Sequence, residues 1–485
     1  MIDVEQFSVV LLLIAGALLL AMLAHQLSAR LRVPAPAVFL LVAAIASDLA
    51  RPLGQIPVVV DERIVTVALA FILFDGGMHI GWRRFHRSAG VITWLGVAGT
   101  AATAGALAMA AHLLFGFSWA TALLLGAALS PTDPAVVFSV LGGREITGRT
   151  GTILEGESGA NDPVGIALMI SLLTATGGGL QTVANGAGSF MLQMVVGGMV
   201  GFISGHGLLW LMRKVALPNE ALHSVGTMAA VTFIYAATTL LQGSGFLAVF
   251  LAGIVIGDRQ APYKRDIERF SAGIASLAEI VAFIILGLSV SLRDVLHSGE
   301  LWTGLALAGL LILIVRPILV GLLLLPVKLR AGERAFILFA GLKGAVPILL
   351  GMFILGAGPV DAQRIYSIIF IVVLSSVIVQ GSLVPYLASL LHVPMHRIDP
   401  EPWSVGLQFT DEPSGLHRHV VEPGSRAEGS TIANLDLGAS GWISMIRRDG
   451  KLVQVRGNTT LHAGDIVLIL STAESGLAVL FQHPH

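Results

Sequence analysis

Eight ionisable side chains lie inside long apolar stretches of this chain: Asp75, Asp133, Glu155, Glu157, Asp162, Glu279, Arg316 and Lys343. Such groups are costly to place in hydrocarbon, so where they occur they mark ion pathways and proton relays. The densest group is Leu154-Glu155-Gly156-Glu157-Ser158-Gly159-Ala160-Asn161-Asp162-Pro163. On a helix Ser158 and Asp162 stand at i, i+4 on one face, and Glu157 and Asn161 form a second such pair beside them. Carboxylates, an amide and a hydroxyl then converge within about two turns. Hard oxygen ligands of this kind suit a small desolvated cation, while burial raises a carboxylate's affinity for protons. The plainer alternative is a polar helix entrance at which Asp162-Pro163 only starts the helix.

Two interruptions accompany this group. Ser130-Pro131-Thr132-Asp133-Pro134 breaks the apolar run between Thr121 and Leu141, because proline removes a backbone donor and clashes with the preceding turn. Asp133-Pro134 reads as the N-cap and first position of a second half-helix, with the carboxylate at its positive end. A matching break falls at Gly341-Leu342-Lys343-Gly344-Ala345-Val346-Pro347. Paired broken segments in the two halves of a chain are the best sequence pointer to a transporter's central site. Lys343 would there offset the negative ends of the broken helices; otherwise it is a lysine snorkelling from a helix end. Asp75, in Phe71-Ile72-Leu73-Phe74-Asp75-Gly76-Gly77, faces either that site or the cytoplasmic interface. Arg316, before Pro317 in mid-span, needs an acidic partner, and Glu157 is the candidate for a structural ion pair. The histidines His25, His112 and His206 show no metal-ligand spacing and read as packing or interfacial.

The elements that must carry these residues follow from composition. Of 485 residues 55% are hydrophobic and 12% charged, against roughly 25% charged in a soluble domain. Since a span needs about 20 apolar residues, apolar runs give thirteen spans: 7–27, 34–50, 63–80, 88–113, 118–141, 151–177, 187–212, 222–241, 244–257, 270–292, 301–325, 335–357 and 363–391. Asp3 and Glu5 stand where a cleaved signal would carry Lys or Arg, so the first run reads as a retained span. With the N-terminus outside, inward loops hold sixteen Lys or Arg between Arg30 and Arg334, against Arg51, Arg63, Arg293 and Arg364 outside. That one-sidedness puts the C-terminus in the cytoplasm. A net charge of -1 points to no nucleic-acid partner, and the lack of cysteine excludes disulfides, thiolate metal sites and cysteine catalysis.

Past Leu391 polar and turn residues return. Residues 1–391 read as a membrane domain, 392–404 as a linker and 405–485 as a small α+β domain. Trp442–Ile446 and Ile466–Leu470 read as strands, with a hairpin turn at Arg448-Asp449-Gly450-Lys451.

These motifs resemble the NhaP-type bacterial cation:proton antiporters, particularly the branch of cell-volume-regulating potassium:proton antiporters. The resemblance rests on Leu73-Phe74-Asp75-Gly76-Gly77-Met78, Ser130–Pro134, Glu157–Pro163, Gly243-Ser244-Gly245-Phe246-Leu247-Ala248-Val249, Gly341–Pro347 and Val379-Gln380-Gly381-Ser382, all in order. It implies a thirteen-helix inverted repeat in the plasma membrane, with two crossed unwound helices in a core that moves against a dimerisation domain. Asp162 would be the cation and proton carboxylate, with Ser158, the Thr132 backbone and Asp75 as further ligands. Asn161 would be the neutral partner that marks electroneutral members, and Asp133 and Lys343 match the residues at the helix crossing. The family motif usually has Arg where this chain has Lys343, which loses the planar fork. The tail is similar to the C-terminal subdomain of potassium-conductance regulators, through Glu422-Pro423-Gly424-Ser425, Ile446–Gly450 and Leu461-His462-Ala463-Gly464-Asp465-Ile466-Val467. That similarity implies a dimerising domain able to bind a small ligand.

The expected function is exchange of a monovalent cation for protons by competition at Asp162, with no cofactor and with membrane lipid as surroundings. Potassium is favoured by the branch and tail, and a sodium-selective exchanger is the alternative. Two rivals come from other classes. Gly156-Glu157-Ser158-Gly159 matches a serine-nucleophile pattern, but His206 and His223 lie towards span ends, away from hydrogen-bond reach. A channel needs no midplane titrating carboxylate, and the four-fold filter sequence is absent.

Overall fold

The computed structural model describes residue 16 and residues 33–49, 57–133, 135–141, 144–146, 148–175, 180–215, 218–297, 299–359, 361–397, 416–435, 437, 442–449, 451–470 and 478–482. The span expected at 7–27, with His25, lies outside all but one of these. The chain divides into two compact units, Met1–Trp403 and Ser404–His485.

The first unit is helical. Six stretches among the described residues are long and apolar enough to cross a membrane: Val58–Phe115, Ala184–Lys214, Ala221–Leu240, Lys264–Leu288, Glu300–Leu323 and Ala362–Leu390. Four shorter apolar helices, Ala35–Leu49, Trp119–Leu129, Gly245–Gly257 and Ala345–Ala357, accompany them. Large apolar side chains stand open on this unit, with Phe233, Trp302 and Leu313 each 74% exposed. Such a surface is unfavourable in water and suited to lipid.

One run differs from the expected spans. At about 1.5 Å per residue a straight helix over 58–115 would be about 87 Å long, far beyond a hydrocarbon core of about 30 Å. Gly81, at φ 67° and ψ 162°, breaks it inside Val58–Thr93. The spans expected at 63–80 and 88–113 therefore meet at a single glycine hinge, and most of the intervening polar segment 82–87 is helical. Only glycine takes that φ without strain, and a Cβ there would also strike the Asp258 carboxylate. A wide turn at Trp94–Gly99 joins this helix to Thr100–Phe115.

The helix Val58–Thr93 crosses Gly245–Gly257 closely, because a Cβ at Gly77 would strike the Phe250 carbonyl and one at Gly253 the Phe74 carbonyl. Two short strands, β1 (Arg144–Ile146) and β2 (Met395–Arg397), pair antiparallel. Within the stretch read as a linker, residues 395–397 thus form a strand paired to the first unit.

The second unit is a four-stranded antiparallel sheet in the order β3-β6-β4-β5, from β3 (Leu416–Val420), β4 (Trp442–Arg448), β5 (Lys451–Val453) and β6 (Ile466–Leu470), with a short helix Ala478–Phe481. It is the small α+β domain read from the sequence. Arg448 pairs with Lys451, and Asp449, next to Arg448, has φ 48°. Its core is Val421, Ala427, Ile443, Ile446, Leu461, Val467, Ile469 and Phe481. Asp465, wholly buried, accepts bonds of 2.8 Å from Nε and a terminal nitrogen of Arg448, and one of 2.9 Å from the His462 amide. Burial pushes that carboxyl up, and these bonds more than offset it, so it ends below the usual carboxylate range.

Candidate cation site at the interrupted helices

Trp119–Leu129 starts on Ser118, whose hydroxyl accepts the Thr121 amide, and stops before Pro131, which has no N–H to continue the ladder. The chain resumes as Ala135–Val140. In the second half, Ala331–Phe339 ends ahead of an unwound 341–344 stretch, and Ala345–Ala357 follows with Pro347 in its first turn, where a missing donor costs nothing. The two unwound stretches touch: the Asp133 amide donates to the Leu342 carbonyl at 2.8 Å.

Each break leaves carbonyls that must be satisfied without water. Lys343 Nζ donates to the Ser130 and Pro131 carbonyls at 3.1 and 2.8 Å, at the end of the first half-helix. Arg316 donates to the Leu338 carbonyl at 3.0 Å and the Ile337 carbonyl at 3.2 Å, at the end of the other. Gln380 Nε2 completes that end on the Phe339 carbonyl at 2.9 Å. A cation thus sits at the negative end of each half-helix dipole. The Asp133 carboxylate also packs on Gly344, where a Cβ would collide with it. The carboxylate therefore lies at the N-cap of Ala345–Ala357, reaching across the crossing to the positive end of the other broken segment.

The polar cluster of residues 157–162 packs beside this crossing on the helix Gly148–Thr174, with Glu157, Ser158, Asn161 and Asp162 all buried. Asn161 brackets Thr132: its Oδ1 accepts the Thr132 amide at 3.2 Å and its Nδ2 donates to the Thr132 hydroxyl at 2.7 Å. The Ser158 hydroxyl donates to the Thr132 carbonyl. Glu157 faces Arg316, with one N···O contact of 3.0 Å and a second bond of 3.3 Å. The charges acting on Asp162 are Asp133 and Lys343. Asp162 Oδ1 is buried without a hydrogen-bond partner.

Asp75 stands apart on Val58–Thr93, 3.4 Å from His79 Nδ1, and its Oδ1 is also buried without a hydrogen bond. Sequence reasoning missed His79, although the i, i+4 spacing was there to be read. It also gave no role to Gln380, quoted only within a motif, or to Ser376, whose hydroxyl accepts the Lys343 amide at 3.0 Å. Ser158, with its hydroxyl proton on a backbone carbonyl, lacks the arrangement of a hydrolytic nucleophile. His206 bonds the Phe202 carbonyl and His223 packs on Tyr263.

A buried carboxylate oxygen without a hydrogen bond thus lies beside two interrupted helices, in a unit built of apolar helices. Residues 10–390 match the sodium/hydrogen exchanger transmembrane family and residues 416–480 the TrkA-C domain. The chain is 36% identical over 388 residues to the K(+)/H(+) antiporter NhaP of Alkalimonas amylolytica, covering 78% of this chain and 66% of that one. It is 33% identical over 478 residues to the K(+)/H(+) antiporter NhaP2 of Shewanella sp. strain MR-4, covering 95% and 81%. The Na(+)/H(+) antiporter ApNhaP of Aphanothece halophytica is 26% identical over 339 residues, 66% of this chain and 63% of that one. The fold is similar to that of the sodium proton antiporter MjNhaP1 of Methanocaldococcus jannaschii, with TM-score 0.66 at 22% identity over 78% of this chain and 97% of that one. The chain belongs to the sodium/hydrogen exchanger family of transmembrane cation:proton antiporters.

Proposed function

We propose that this chain exchanges potassium for protons, electroneutrally, across the bacterial plasma membrane, and that the two cargoes compete for Asp162. The observation that carries the proposal is the buried Asp162 Oδ1 with no donor to hold it. A carboxylate in that setting is neutralised either by a proton or by a dehydrated cation, and one charge cannot hold both. One cation against one proton moves no net charge.

Ser158 and Thr132 offer further oxygens. In the observed arrangement the Ser158 proton satisfies the Thr132 carbonyl; turning that hydroxyl away exposes both oxygens to a cation. Asn161, with both functions spent on Thr132, holds the unwound segment and does not titrate. Asp75 completes the ligand set when the Gly148–Thr174 and Val58–Thr93 helices approach in the loaded state. Glu157 and Arg316 hold the crossing from below as a structural pair.

In this reading the chain is a thirteen-span inverted repeat with the N-terminus outside and the C-terminus in the cytoplasm. It forms a homodimer through the membrane domain, and residues 405–485 form a regulatory domain that dimerises and takes a small ligand. Potassium is favoured over sodium because NhaP and NhaP2 are named as K(+)/H(+) antiporters. Cation-induced proton flux in everted vesicles should be larger for potassium than for sodium at equal concentration. Asp162→Asn should abolish both while the protein still folds. Flux retained in that variant refutes the site, and a larger sodium response refutes the selectivity.

A further inference from the structure

A second feature lies away from the crossing. Arg83, Arg84, Arg87 and Arg149 line one cavity of about 660 Å³, together with Glu155 and Asp258. That volume falls within the range of about 300–1,000 Å³ found for small-molecule sites. The arginines come from two elements: three follow the Gly81 hinge on Val58–Thr93, and Arg149 lies in the first turn of Gly148–Thr174, a turn with no acidic residue.

Four guanidiniums face two carboxylates, so two positive charges remain even if each acid neutralises one arginine. One acid is already engaged, since Asp258 Oδ2 accepts the Arg83 backbone amide at 2.5 Å. The amides at the start of a 27-residue helix add the positive end of its dipole to the same wall. A cavity of this sign repels the transported cation and attracts an anion. Planar guanidiniums from two sides match the oxygens of a phosphate in particular, which they bind by paired hydrogen bonds.

We propose that this cavity is a binding site for a phosphate-bearing anion, which bridges the segment after the Gly81 hinge to the start of the helix that carries Asp162. The phosphate is supplied either by an anionic lipid headgroup or by a soluble phosphate compound. By linking those two elements, the bound anion stabilises the arrangement in which they are adjacent.

The test uses the full-length protein and two probes. Thermal unfolding in detergent is followed with inorganic pyrophosphate added, ionic strength being held constant with chloride; it is repeated in nanodiscs of phosphatidylglycerol and of phosphatidylcholine. Pyrophosphate should raise the unfolding midpoint by several degrees if the source is soluble. A rise confined to phosphatidylglycerol identifies a headgroup. In either case Arg84→Gln/Arg87→Gln/Arg149→Gln should lose the rise, and Lys214→Gln/Arg259→Gln/Lys328→Gln, which removes equal charge outside the cavity, should keep it. If the cavity triple does not fold, Arg149→Gln alone should weaken the response several-fold. Equal responses in wild type and cavity variants, equal losses in both triples, or no response of the wild type to either probe would overturn the proposal.

Discussion

Removing Arg316 tests whether the crossing is held by a buried ion pair. Arg316 is 5% exposed and Glu157 is 4% exposed. Four hydrogen-bonding contacts converge there, two on the carboxylate and two on the Ile337 and Leu338 carbonyls. Arg316→Met leaves an uncompensated buried carboxylate, a cost of about 3–5 kcal/mol, with the orphaned carbonyls adding to it. Glu157→Leu leaves a buried guanidinium and costs a similar amount, about 3–5 kcal/mol. The double variant has neither charge and leaves only the two carbonyls, at roughly 1–3 kcal/mol each. The carbonyl cost is common to Arg316→Met and the double variant and cancels. The double should therefore be more stable than the sum of the single losses predicts by up to the two charge penalties, about 6–10 kcal/mol, and by no less than the roughly 0.5–3 kcal/mol measured for directly coupled residues. Unfolding free energies in mixed micelles of dodecyl maltoside and dodecyl sulfate give all three values. Single costs below about 1 kcal/mol that simply add would be those of a solvated surface pair and would refute the reasoning.

Lys343→Met should lower stability by about 2–6 kcal/mol, from two orphaned carbonyls at roughly 1–3 each, and should stop transport, whereas Lys343→Arg should keep both because a guanidinium can bond the Ser130 and Pro131 carbonyls; equal stability of the Met variant in thermal unfolding would contradict the capping role. The C-terminal domain should loosen as pH falls. His419, stacked on Phe481, is held below the ordinary imidazole value of 6.5 by burial and by His417. A depressed imidazole contributes stability above the unfolded value that is lost as pH drops through 6.5 towards the folded one. Hydrogen exchange in β3 and β6, corrected for intrinsic rate, should therefore speed up between pH 7.5 and 5.5, and His419→Gln should flatten that dependence.

Much of the site could be read from the sequence because its cues are local. Pro131, Pro134, Gly341, Gly344 and Pro347 mark where the helices stop, and the spacing of Ser158 and Asp162 puts them on one face. What could not be read was which groups satisfy the broken ends, since that depends on distant contacts. Arg316 was expected to meet an acid, but its bonds to the Ile337 and Leu338 carbonyls follow from how the helices cross. Asp133 could be read as a cap for its own half-helix, but its contact with Gly344 across the crossing had no cue in the sequence. The Gly81 hinge was hidden because the polar residues after it, Trp82–Arg87, resemble a loop while remaining helical. The pairing of β1 with β2 joins residues some 250 positions apart with no pattern to announce it.

The most direct test is the dependence of potassium affinity on pH, measured as proton flux in proteoliposomes across a range of potassium concentrations. If a proton and a potassium ion exclude each other at one acid, each unit of acidification below that acid's titration point should raise the apparent KM about tenfold and leave the saturated rate unchanged. A saturated rate that falls with acid while KM stays constant would mean that the proton acts elsewhere, and would contradict exchange at Asp162.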